Sequence, residues 1–159
     1  MQMNDAPILF CYDGSAAAVR AIETAAALLG PRRAVVLDVA SSMSAAESVA
    51  APYSAMVGAA LEETQAAEAA RIADEGTEIA RSSGFDAVAR ATQAVPTWEG
   101  VVEIADELDA PVIVVGSRGL RGLNEALHGS FSHQVAEHAG RPVLIVPPPD
   151  KRPADANGR

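Results

Sequence analysis

Hydrophobic positions along this chain fall into short unbroken runs, separated by stretches in which apolar residues recur at helical spacing. Ile8-Leu9-Phe10-Cys11-Tyr12, Val112-Ile113-Val114-Val115 and Val143-Leu144-Ile145-Val146 are continuously apolar, and Ala34-Val35-Val36-Leu37-Asp38-Val39 is similar. A strand covered on one face alternates apolar with polar residues, whereas a strand covered on both faces reads as a continuous apolar run. These four runs therefore predict strands of a parallel sheet sandwiched by helices. The segment Asp86 to Gln93 differs. Its Val88, Arg90 and Thr92 share one face and only alanines the other, which predicts an edge strand.

The intervening stretches predict four helices. Ser15 stands where an N-cap belongs, Val19, Ile22, Ala26 and Leu29 follow at helical spacing, and Gly30-Pro31 ends the pattern. Leu61, Ala69, Ile72, Ala73, Ile79 and Ala80 mark a second helix ending near Ser83-Gly84. Thr97 is expected to cap a third, with a stripe of Val101, Ile104, Ala105 and Leu108 closed by Pro111. Ser130 is expected to open a fourth, in which Phe131, Val135 and Ala139 lie four apart and Gly140 is the stop. Strand and helix thus alternate strictly. That order implies the α/β class: a single-domain, open, five-stranded parallel sheet with right-handed crossovers and helices on both faces. The expected strand order is 3-2-1-4-5. Residues Ala40 to Val57 are small and polar without clear period, and are expected to form a mobile loop or irregular lead-in to the second helix. One domain is expected over residues 1–147, followed by a disordered tail at 148–159, rich in proline and charge.

Composition narrows the function classes. With 159 residues, 49% of them apolar, the chain suits one domain with one substantial core. Its longest purely apolar stretches are five or six residues, against the roughly 20 a membrane-spanning helix needs, so no membrane partner is expected. The start has neither a basic nor a long apolar segment, which argues against a secretory signal. A single cysteine, Cys11, allows no internal disulfide and fits a reducing compartment, so the expected location is cytoplasmic. The formal charge of −9 argues against a nucleic-acid partner. It also means that nucleotide phosphates would have to be held by local backbone donors and a few basic groups, against the global field.

Candidate chemistry concentrates at two strand ends. In open α/β sheets, ligands bind beyond the carboxyl ends of the strands, where the strand order reverses. With order 3-2-1-4-5, the turn Tyr12-Asp13-Gly14-Ser15 and the turn Val115-Gly116-Ser117-Arg118-Gly119 line one crevice. Gly116, Gly119 and Gly122 are spaced by three, and Gly129-Ser130 stands where the fourth helix begins. Glycines let a phosphate approach backbone amides closely, and a helix N-terminus offers unpaired amide donors with partial positive charge. Gly129, Ser130 and Phe131 could hold an anion in this way, with Arg118 and Arg121 adding charge. A merely flexible βα connection would use the same glycines.

The pattern Gly116-Ser-Arg-Gly119, nine residues, then Gly129-Ser130 resembles the nucleotide-binding signature of the universal stress protein family. Ile8 to Ser15 resembles that family's first strand running into Asp-Gly-Ser, and Gly129 to Val146 its last helix and strand. The resemblance covers about Pro7 to Val146 and is looser between those ends. It implies a Rossmann-like nucleotide-binding fold and a nucleotide-dependent regulatory or stress-response module that binds ATP (or ADP or AMP) with Mg²⁺. By the same resemblance, Asp13 would meet the ribose or a metal ion near the phosphates, and Val39 would meet adenine through its backbone. Gly116 would face the ribose, and Gly119, Gly129 and Ser130 would hold the phosphates, with Arg118 and Phe131 alongside. It further implies a homodimer paired through the last strand, Val143, Leu144, Ile145 and Val146, an edge that is a liability unless paired.

Two departures stand out. Asp38 occupies a position where the family commonly has histidine, and a carboxylate there could weaken nucleotide binding or help place a cation. Val95-Pro96-Thr97-Trp98 replaces a more usual glycine-rich entry to the third helix, with Trp98 read as a packing residue. No Gly-Lys pair exists, which excludes a P-loop ATPase. His128, His133 and His138 are five apart, not on one helical face, and are read as solvated or capping residues. Cys11 is read as buried packing. The alternative function is a slow ATP-hydrolysing or ATP-dependent transfer enzyme, disfavoured because no general base has a clear position beside the glycine loop.

Overall fold

The apolar runs beginning at Ile8, Ala34 and Val112 become strands whose two faces are buried in two different cores, while the run at Val143 becomes an edge strand with Ile145 exposed. The computed structural model describes residues 5–40, 52–117 and 131–147. In chain order the elements are β1 (Ile8–Cys11), α1 (Ala16–Leu29), β2 (Arg33–Ala40), α2 (Pro52–Ser82), β3 (Asp86–Gln93), α3 (Thr97–Glu107), β4 (Ile113–Gly116), α4 (Phe131–His138) and β5 (Val143–Val146). Ile8, Phe10, Val36 and Val114 face one way, into a core with Ala18, Ala21, Ile22 and Ala25 of α1 and Ile72 and Ala80 of α2. Leu9, Val35, Leu37, Ile113 and Val115 face the other, into a core with Val101, Ile104 and Ala105 of α3 and Val135 of α4. Side chains that alternate in direction along a strand therefore all meet hydrocarbon. Burying each large one stabilises the fold by about 1.5–3 kcal/mol.

The five strands are parallel and lie in the order β3-β2-β1-β4-β5, as the alternation of elements predicts. β3 is an edge strand, paired with β2 from Arg33↔Asp86 to Ala40↔Gln93. Its outward Val88 remains 53% exposed. The reversal of strand order falls between β1 and β4.

Two local expectations need correction. The segment 40–57 is not irregular throughout: β2 continues to Ala40 and α2 begins at Pro52. Proline costs nothing in the first turn, where its missing N–H has no partner to lose, and the alanine-rich stretch after it has high intrinsic helix propensity. Tyr53, Met56, Val57, Ala60 and Leu61 do recur at helical spacing, a signal that the small and polar residues before Pro52 obscured. Residues 41–51 lie outside the described residues, as does the tail 148–159. Thr97 is not the cap of α3. Pro96, extended at φ −72 and ψ 155, holds the N-cap position without a side-chain capping bond, and Thr97 is already helical.

The other helix ends follow their sequence signals. Ser15 accepts the Ala18 amide at 3.1 Å, and Gly30 and Gly140 end α1 and α4 at φ +68 and +59, a backbone that glycine adopts without strain. Arg141 fastens the α4–β5 turn to the end of α3. Its guanidinium donates to the carbonyls of Ala105 and Ala110, both at 2.8 Å, and it also pairs with Asp106. No helix among the described residues is long and apolar enough to cross a membrane.

Candidate functional site

The chain leaves β1 through a turn that its own side chains hold shut. Asp13 Oδ1 accepts the Ser15 amide at 3.0 Å, Gly14 takes φ +78, and Ser15 then caps α1. This is the local bonding that makes Asp favourable in a turn before a helix, and it fixes Asp13 at the mouth of the sheet. Beside it, β4 ends at Gly116, where an added Cβ would lie 2.8 Å from the Ala17 carbonyl oxygen. Glycine at 116 is thus what lets β4 pass the first turn of α1. On the other side Gly100 brings α3 close to β2. A Cβ there would stand 2.8 Å from Ala94 Cβ and 3.2 Å from Val39 Cγ1.

These close approaches leave a small crevice, open to solvent, over the carboxyl ends of β1, β2 and β4. Its apolar lining comes from Leu37, Val39, Val101, Val115 and Phe131. Cys11, Tyr12, Asp13, Asp38 and Gly116 complete it. Four of the residues expected at the site, Asp13, Val39, Gly116 and Phe131, are therefore brought together around one cavity. Arg118, Gly119, Gly129 and Ser130 lie outside the described residues.

The crevice is acidic and thiol-bearing. Cys11 is half-buried: it packs against the α3–α4 core, as read, and also lines the crevice. Desolvation pushes its thiol well above the ordinary range, and the charges of Asp13 and Asp38 push it further. Asp38 is 5% exposed. Tyr12 belongs to the opposite core, where its hydroxyl donates to Glu75 Oε1 of α2 at 2.8 Å. Burial, then the bond to Glu75, raise its ionisation above the usual phenol range. Among the described residues, no group of three or more His, Cys, Asp or Glu could hold a metal ion.

Sequence reasoning missed Cys11, Leu37 and Val101 as lining residues, whereas Tyr12 and Val115 belong to the two turns it placed at the crevice. The signal that would have found most of them is the rule it had already used: strand-end residues beside the reversal of order face the ligand. Trp98 lies away from this lining. It packs on the α3–α4 core and stacks on His138, with ring centroids 4.2 Å apart and planes 25° apart, a packing role as read. His138 is solvent-exposed, and His133 faces Glu137 at 3.8 Å.

Comparison with known proteins places these features in a family context. The sequence model of the universal stress protein family matches residues 6–147. The universal stress protein YxiE of Bacillus subtilis is 38% identical over 79 residues, 50% of this chain and 53% of YxiE. The matched part thus spans about half the length of that relative. Among solved structures, the fold resembles hypothetical protein MJ0577 with a TM-score of 0.73 at 23% identity, covering 94% of this chain and 100% of the other. A universal stress protein solved in complex with cAMP superposes with a TM-score of 0.62 at 27% identity, over 88% of this chain and 95% of its own.

Proposed function

The chain belongs to the universal stress protein family, and on that premise we propose that it is a nucleotide-dependent regulatory module of the stress response that binds an adenine nucleotide, ATP foremost, in the crevice over β1, β2 and β4. The observation that carries the reading is the convergence of Asp13, Val39, Gly116 and Phe131 on one cavity at the reversal of strand order. The apolar lining suits a flat base, Val39 offers strand-end backbone for its edge, and Asp13 and Gly116 stand where a ribose would lie. Gly119, Gly129 and Ser130, with Arg118, are assigned to the phosphates on the strength of their spacing. The residues present fit such a ligand in the apolar and polar character of the lining. A divalent cation such as Mg²⁺ would be held chiefly by the phosphates, with Asp13 as its protein ligand. A solved relative that holds cAMP supports the adenine assignment.

The same reading includes a cytoplasmic homodimer paired through β5. That strand lies at the sheet edge, and Ile145 is 40% exposed. Mass spectrometry of small molecules released on denaturing the purified protein, with calorimetric titration of ATP, tests the ligand. An adenine nucleotide recovered from wild type and lost from Gly119→Val is the expected result. No released nucleotide together with no heat of ATP binding would refute the proposal.

A further inference from the structure

Gly100 lies in the first turns of α3, and its backbone is outside the positive-φ region that favours glycine. Conformation therefore does not require glycine there, and in a helix interior glycine is a poor choice. Contact does require it. Besides Ala94 Cβ at 2.8 Å and Val39 Cγ1 at 3.2 Å, a Cβ at position 100 would meet Thr92 Cγ2 at 3.4 Å. Val39 and Thr92 are partners in the β2–β3 register, so the α3 backbone at Gly100 rests astride the carboxyl ends of both strands. Gly100 is not among the residues that line the crevice, but its neighbour Val101 is, and so is Val39. Both valines are buried. The bare backbone at Gly100 thus sets how near these two lining residues stand.

We infer that Gly100 is a positioning residue that closes the base subsite to purines enlarged at the 6-amino group, so that the site takes unsubstituted adenine. The inference rests on the adenine-nucleotide reading above, in which the base lies against Val39. A strand-end backbone offers one N–H and one C=O, and adenine answers such a pair only through its 6-amino donor, with N1 or N7 as the acceptor. On either edge the amino group then lies at Val39, where strand and helix are already in contact. A substituent on the amine has room there only if α3 or the Val39 side chain moves. A methyl at position 100 forces that movement, because a close-packed contact transmits displacement to its neighbours instead of absorbing it.

The test is calorimetric titration of the full-length chain, in Mg²⁺, with ATP, N6-methyl-ATP and N6-benzyl-ATP, which differ only at the amine. In wild type, affinity should fall along the series, by about tenfold or more for the benzyl group, the scale on which a close-fitting site rejects added carbon. In Gly100→Ala, checked for folding by melting, the ratio of ATP to N6-benzyl-ATP affinity should fall by at least about threefold. Removing the tightest contact, by combining Gly100→Ala with Ala94→Gly, should raise the ratio again. A variant that merely populated its binding-competent fold less would weaken all three ligands by one factor and leave the ratio unchanged. Wild-type affinity for N6-benzyl-ATP equal to or tighter than that for ATP, or an unchanged ratio in folded Gly100→Ala, overturns the inference and leaves adenine-nucleotide binding standing. If none of the ligands binds, the adenine reading fails and this inference with it. Should Gly100→Ala not fold, Val39→Ala opens the same contact from the strand side: a lowered ratio supports the inference and an unchanged one overturns it.

Discussion

Gly76 and Gly58 lie on the same helix, α2, and the same substitution should move stability in opposite directions at the two sites. At Gly76 the helix backbone rests directly on the sheet: an added Cβ would lie 2.6 Å from Cγ and Cδ1 of Tyr12 and 2.8 Å from Cγ1 of Val36. None of these is the free end of a flexible chain. Tyr12 is 2% and Val36 0% exposed, and the Tyr12 hydroxyl is tied to Glu75 on the same helix. To admit the methyl, α2 must lift from the sheet, at an overpacking cost of about 1–3 kcal/mol. Weakening the Tyr12–Glu75 bond would add roughly 1 kcal/mol. Against this, Gly→Ala in a helix gains about 1 kcal/mol of intrinsic propensity. The net for Gly76→Ala is a loss of about 1–3 kcal/mol. At Gly58 a Cβ meets nothing within 4 Å, so Gly58→Ala keeps the propensity gain and stabilises by about 0.5–1 kcal/mol. Urea denaturation followed by far-UV circular dichroism would measure both, with the two midpoints moving to opposite sides of wild type. If Gly76→Ala proved as stabilising as Gly58→Ala, the direct contact between α2 and Tyr12 would be refuted.

Arg141→Ala should destabilise by about 2–3 kcal/mol, because the carbonyls of Ala105 and Ala110 lose a charged donor; thermal melting would show it. Arg141→Lys should recover only part of the loss, since one ammonium cannot reproduce the planar fork that reaches these carbonyls and Asp106 together. Cys11 should react with Ellman's reagent at pH 8 at least about tenfold more slowly than a free thiol, because a raised pKa lowers the thiolate fraction. Its rate should still be climbing at pH 9–10, above the ordinary thiol value of 9.0. A plateau near that value would show an unperturbed thiol. Ile145→Lys should convert the expected β5-paired dimer to monomer in light scattering, since it places a charge on the exposed edge; an unchanged mass would move the interface elsewhere.

The parts of this fold that could be read in advance share one property: their burial leaves a mark on consecutive residues. β1 and β4 are runs of apolar side chains because two helical layers cover them, and that alone distinguishes a sandwiched parallel sheet from a half-exposed antiparallel one. Sheet order followed from the same fact, since strictly alternating elements leave few ways to cover both faces. Where burial leaves no such mark, reading failed. The entry to α3, set by Pro96 rather than by a hydroxyl cap, is such a place. The site divides in the same way. Asp13 and Gly116 announce themselves through turn chemistry, one by an Asx bond to Ser15 and the other by its close approach to Ala17. Cys11 could not, because its neighbours in the strand are core residues and only the reversal of sheet order between β1 and β4 opens space above it. Asp38 is the instructive middle case. In sequence it is one acidic residue interrupting an apolar strand. Only the pairing of β2 with β1 sets it beside the crevice that Asp13 shares, and so makes a lone irregularity of the strand part of the site's lining.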